Sequence, residues 1–170
     1  PEVWSAATLD AGVDVRLGAT CTGLLADGSQ VRASCSDGRQ DRYDLVIGAD
    51  GLRSQVRRHL FPDAPAPVYT GQACWRAVLP RPADVVRPRT YMGIREKAGV
   101  NPVSANEMYL YLNNPEPEHQ QPDETELPRM LAQRLAHFGG LIATIREGLG
   151  PGSRVLYRPL DQLVMPAPWY

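Results

Sequence analysis

Asp50 and Gly51, followed closely by Arg53 and Arg57, are the residues of this chain whose types and spacing best suit chemistry. A carboxylate at the carboxyl end of a strand can accept hydrogen bonds from the hydroxyls of a nucleotide cofactor, and a glycine beside it lets the backbone come close. Two arginines four positions apart share one face of a helix, and guanidinium forks suit phosphate. Each residue also has a plainer reading. Asp50 is a natural N-cap, Gly51 a turn glycine, and Arg53 and Arg57 part of a solvated basic face with Arg58 and His59. The run DLVIGADGLRSQVRR at 44–58 reads as a short apolar strand (Leu45, Val46, Ile47), a tight glycine turn supported by Ser54, and a basic helix over 53–60.

The elements around this run predict two domains, 1–64 and 65–170, divided where Pro62, Pro65 and Pro67 mark a linker. In the first, a helix tail over 1–11 stops at Gly12. Val13, Val15 and Leu17 alternate with Asp14 and Arg16 as a half-buried strand. Asp27-Gly28 and Asp37-Gly38 are hairpin turns, so 13–43 reads as an antiparallel meander feeding a buried strand at 44–49. In the second, strands are expected at 71–79, 89–94, 99–103, 107–113 and 155–160, with a proline-rich loop over 113–122. Asp123 opens a helix carrying Leu127, Met130, Leu131, Leu135 and Phe138 on one face, ended by Gly139-Gly140, and Leu141, Ile142, Ile145 and Leu149 suggest a second. The fold class is α+β: part of an α/β domain, then a mixed or antiparallel sheet with helices on one face. The uncovered face, with Trp75, Tyr91, Tyr109 and Tyr111 as candidates, is available to floor a ligand pocket or to dock another domain.

Composition narrows the function. The 170 residues are 43% hydrophobic and 22% charged, with a net charge of −1. That balance gives no electrostatic reason to expect nucleic acid or an anionic membrane. No apolar run approaches the roughly 20 residues of a membrane helix, and the opening residues do not read as a signal peptide. Cys21, Cys35 and Cys74 lack CxxC spacing and read as buried strand cysteines in a reducing cytoplasm. His59, His119 and His137 show no metal spacing.

The motif G-A-D-G-x-x-S-x-V-R at 48–57 resembles the flavin-dependent aromatic hydroxylases, the class A monooxygenases. AGVDVRLG at 11–18, YTGQACWRAVLPRP at 69–82 and YRPLDQLVMPAPW at 157–169 resemble the same family, salicylate-hydroxylase-like members in particular. The family's opening G-x-G-x-x-G and its later Gly-Asp pair have no counterpart here. The resemblance therefore implies a middle fragment that by itself neither holds FAD tightly nor turns over. It places Asp50 and Gly51 beside FAD, Arg53 and Arg57 near the pyrophosphate of NAD(P)H, and the backbone of Cys21 near the adenine. It places Tyr91, Ser104 and Tyr109 around an aromatic substrate, with sheet packing the plainer reading of the tyrosines. Arg76, from its own place in an alternating strand, either pairs a substrate carboxylate or reaches solvent. The implied parent reaction is hydroxylation of a small aromatic substrate through a flavin C4a-hydroperoxide. The implied partners are that substrate, the remainder of the FAD domain and a second copy of the chain as a homodimer. A halogenase, epoxidase or isoprenoid reductase on the same scaffold, or a non-catalytic α+β binding domain, are the alternatives.

Overall fold

The computed structural model describes residues 2–117 and 119–167, so Pro168 and Trp169 of the 157–169 resemblance lie outside it. Backbone contacts divide the chain into two units, Pro1–Pro67 with Leu163–Tyr170, and Val68–Gln162.

The first unit opens with α1 (Glu2–Asp10). Three antiparallel strands follow in spatial order, β1 (Cys21–Asp27), β2 (Gln30–Cys35) and β3 (Gln40–Tyr43), turning at the two Asp-Gly pairs. Helix α2 (Gln55–Leu60) lies against β1. Two expected strands do not form. The 13–17 segment is irregular, and Arg16 ties it to β3 through a 2.9 Å ion pair with Asp41. The 44–49 run has no ladder partner among the described residues, and Leu45 and Ile47 are 73% and 78% exposed. A strand needs a neighbouring backbone to satisfy its N–H and C=O groups, and apolar alternation alone does not supply one.

The second unit is a five-stranded sheet, every pairing antiparallel, in the order β5-β6-β7-β4-β8. Its strands are β4 (Val68–Pro80), β5 (Arg89–Met92), β6 (Lys97–Pro102), β7 (Glu107–Pro115) and β8 (Val155–Gln162). Asp123 accepts from the Thr125 N–H at 2.8 Å and starts a 3-10 turn, Glu124–Glu126, which runs into α3 (Leu127–Arg134). Pro128 sits in the first turn of α3, where its missing N–H costs nothing. The helix ends at Arg134, short of the expected Gly139. The chain continues through turns that keep Leu135 and Phe138 in the core, and α4 (Gly140–Glu147) adds Ile142 and Ile145.

Register settles which side chains share a face. Ala73, Trp75 and Ala77 of β4, Met108, Leu110 and Leu112 of β7, and Ala98 and Val100 of β6 are buried with α3 and α4. Tyr91 pairs with Ala98 and so lies on this helix-covered face, as does Trp75. The expectation that both belong to the uncovered face is corrected. Tyr109 and Tyr111 do lie on it.

One polar network is sealed into the helix-covered side. The Trp75 Nε1–H donates to Asn114 Oδ1 at 3.0 Å, and the Asn114 amide donates to Glu116 at 3.0 Å. Arg134 closes an ion pair on the same carboxylate, with its guanidinium 4.7 Å from the Trp75 ring centroid. Tyr69 Oη donates to the Glu116 carbonyl at 2.5 Å. Burial pushes the Glu116 carboxyl up, but Arg134 and Asn114 together outweigh it and hold the group below its ordinary range. The loop expected over 113–122 begins later, because β7 runs on to Pro115. The alternation Met108, Leu110, Leu112, Asn114 is the signal that β7 continues into it.

Candidate functional site

In the first unit the 48–54 loop is shaped by its contacts with α2. A Cβ at Gly48 would come within 2.7 Å of Val56 Cγ1, so only glycine lets the loop pack this closely. The Asp50 carboxylate accepts from the Ser54 hydroxyl, from the Gln55 N–H at 2.6 Å and from the Val56 N–H at 3.2 Å. Ser54, the N-cap, in turn accepts from the Arg57 N–H at 2.9 Å. The Ser54 hydroxyl, ahead of the two amides, holds the Asp50 carboxyl below its usual range. The N-cap is thus Ser54 rather than the expected Asp50, and Asp50 adds acceptors for the first two amides of α2 from the loop before it.

This loop retains the means to meet a hydroxyl-bearing cofactor such as FAD. A carboxylate offers about four acceptor positions, and the three donors on Asp50 leave capacity for another. Gly51 has a φ of 78°, with nothing within 4 Å of where a Cβ would stand, so its backbone is open to close approach.

The other expected cofactor residues are placed differently from one another. Arg53 lies in the turn before α2 and is exposed, whereas Arg57 is in the helix and half-buried. They do not share a helical face, because the helix begins only after the Ser54 cap. Cys21 starts β1 opposite Cys35. All three cysteines are free and half-buried rather than fully buried.

In the second unit the open face of the sheet carries Arg76, Val78, Tyr109, Tyr111 and Leu156, which alternate with the buried set. A cavity of about 790 Å³ touches Arg76, Val78, Val103, Tyr109 and Leu156. The Arg76 guanidinium lies 5.9 Å from the Tyr109 ring centroid. Ser104 sits in the β6–β7 turn, where its Oγ accepts from the N–H groups of Asn106 and Glu107 at 3.2 and 3.0 Å. The structure therefore brings Arg76 and Tyr109 together, leaves Ser104 at the turn, and puts Tyr91 on the other side of the sheet. The sequence reading missed Gly99 and Asn101, which set the tyrosines. A Cβ at Gly99 would stand 2.6 Å from the Tyr111 ring, and the Asn101 amide donates to Tyr109 Oη. Among the described residues no cluster of His, Cys, Asp and Glu suits a metal, and no helix is long and apolar enough to cross a membrane.

Residues 3–144 match the family described as FAD binding domain, and the chain belongs to that family, the flavin-binding domain of class A flavin monooxygenases. It is 32% identical to 2-heptyl-3-hydroxy-4(1H)-quinolone synthase of Pseudomonas aeruginosa over 154 residues, 88% of this chain and 40% of that enzyme. It is 28% identical to the FAD-dependent urate hydroxylase of Mycolicibacterium vanbaalenii over 156 residues, 88% of this chain and 36% of that one. Its fold is shared with Klebsiella pneumoniae HpxO, solved with FAD and uric acid, at a TM-score of 0.79 and 22% identity over 94% of this chain and 42% of that structure. The chain spans about 40% of the length of the first curated relatives it matches.

Proposed function

We propose that the chain forms part of an FAD- and NAD(P)H-dependent monooxygenase that hydroxylates a small aromatic substrate. The observation that carries this reading is the presence, in one member of a flavin-binding family, of two features. One is an acid–glycine loop with spare acceptor capacity, and the other is an open sheet face lined by Arg76 and Tyr109. Relatives named for a quinolone and for urate support the aromatic class.

When bound, FAD supplies the redox chemistry that activates dioxygen. The residues of this chain bind and orient. Asp50 accepts a cofactor hydroxyl while bonded to the first amides of α2, and Gly51 admits the cofactor to its backbone. The Cys21 backbone meets the adenine end, and Arg53 and Arg57 offer separate guanidinium groups to the NAD(P)H pyrophosphate. Arg76 and Tyr109 contact the substrate, Ser104 shapes the adjoining turn, and Tyr91 supports the sheet from the opposite face. The exposed 45–49 run gains strand partners from the remainder of the FAD domain.

The test is to express the chain with its flanking flavin-binding sequence. Bound-flavin absorbance and substrate-stimulated NAD(P)H oxidation are expected, and a colourless protein overturns the reading. A homodimer is part of the same proposal, and light scattering on that protein checks it.

A further inference from the structure

Cys21 and Cys35 stand directly opposite each other, at the first residue of β1 and the last residue of β2. The Ser36 N–H donates to the Thr20 carbonyl at 2.9 Å, one position outside the pair on each strand. That bond marks Cys21–Cys35 as a non-hydrogen-bonded pair of the antiparallel ladder. In such a pair the Cα atoms are about 4.5 Å apart and the two side chains project from one face. A disulfide spans about 4.4–6.8 Å between Cα atoms and about 3.5–4.5 Å between Cβ atoms. The backbone therefore holds two thiols at a separation that one S–S bond closes.

Both residues lie where the backbone is free to adjust. The ladder slips between Cys21 and Gly23, so Cys21 stands beyond a bulge. Cys35 ends β2 just before the Asp37-Gly38 turn. The Cys21 thiol is turned along its own strand toward the Gly23 carbonyl at 3.6 Å, a weak bond that rotation about χ1 releases. Both residues are half-buried, so a small thiol reagent reaches them. Cys74 has no such neighbour, since Asn113 and Arg158 stand opposite it on its two ladders.

We infer that Cys21 and Cys35 form a redox-responsive pair, closed by glutathione disulfide into a cross-strand disulfide that clamps the start of β1 to the end of β2. One thiolate attacks glutathione disulfide, forming a mixed disulfide and releasing one glutathione thiol. The second thiolate attacks the protein sulfur of that mixed disulfide and releases the other glutathione. The two protein sulfurs lose two electrons and two protons, and the glutathione pair gains them. The proposed function sets the Cys21 backbone beside the FAD adenine, so on that reading the clamp stiffens one wall of the cofactor site. The disulfide itself does not depend on it.

The test equilibrates the full chain in glutathione redox buffers, blocks free thiols by alkylation and maps tryptic peptides by mass. Cleavage after Arg16, Arg32 and Arg39 separates residues 17–32 from 33–39. The two peptides are expected joined, at a mass two hydrogens below their sum. Titratable thiols should fall from three to one, and dithiothreitol should restore all three. Cys35→Ser should abolish the joined peptides, whereas Cys74→Ser should leave them unchanged. The bond should be favoured at least about tenfold more in the folded chain than in urea, since a disulfide that suits the fold stabilises it by the same factor. Separate peptides, glutathione left on a single cysteine, preferential linkage to Cys74 or equal formation in urea overturns the inference. Each of those results leaves the monooxygenase reading to its own test, flavin retention by the longer protein.

Discussion

In the unit built on β4 to β8, Trp75, Met108, Leu110 and Leu112 are sealed beneath α3 and α4. In the unit built on β1 to β3, Leu17, Leu45 and Ile47 stand in solvent. The first unit is held by hairpin ladders, ion pairs such as Arg32–Asp27 and Arg16–Asp41, and the Ser54 cap with Asp50 bonded to it, with Ala33 and Val56 the buried apolar side chains among its described residues. Surface ion pairs contribute little, typically about 0–1 kcal/mol. One unit thus carries its own core, while the other presents apolar side chains suited to burial against further structure. Comparable hydrophobic content along a sequence does not mean comparable burial, because burial depends on which elements are there to cover each face.

The contrast can be broken most strongly at Trp75. Trp75→Ala removes a fully buried ring and its hydrogen bond to Asn114, and should cost about 3–5 kcal/mol in chemical denaturation. Glu116→Ala leaves Arg134 without its carboxylate in the same core and should cost roughly 3 kcal/mol. Glu116 also sets a pH dependence. Its folded carboxyl lies below its ordinary value, so its contribution is complete above that ordinary value and is lost as pH falls through the lowered one. Thermal midpoints measured down the acid limb should fall less steeply for Glu116→Gln than for the wild type.

The effects shrink in the other unit. Asp50→Ala should cost about 1 kcal/mol, the range of helix-cap substitutions, and should speed amide exchange at Gln55 and Val56 while β4 and β7 remain protected. Leu45→Ala and Ile47→Ala should change stability by less than about 0.5 kcal/mol in this chain, since both side chains are already exposed. A loss as large as that of Trp75→Ala at either position would show that the first unit hides a core of its own.

Much of this architecture is local chemistry. The Asp-Gly turns form where the dipeptides stand, Asp123 and Ser54 cap their helices, and Asp50 reaches donors within six residues. Turns and caps are satisfied by near neighbours, so residue type and spacing suffice to find them. The chain's period-two alternation likewise marks β4 and β7 and sets Arg76 apart from Trp75. Strand formation at 13–17 and 45–49 depends on a distant backbone, which alternation cannot report. Cross-strand register set the half-buried Tyr91 against the helix-covered core, held Tyr111 over Gly99, and brought Arg76 onto Tyr109. That juxtaposition joins strands more than thirty residues apart, and only the assembled sheet decides it.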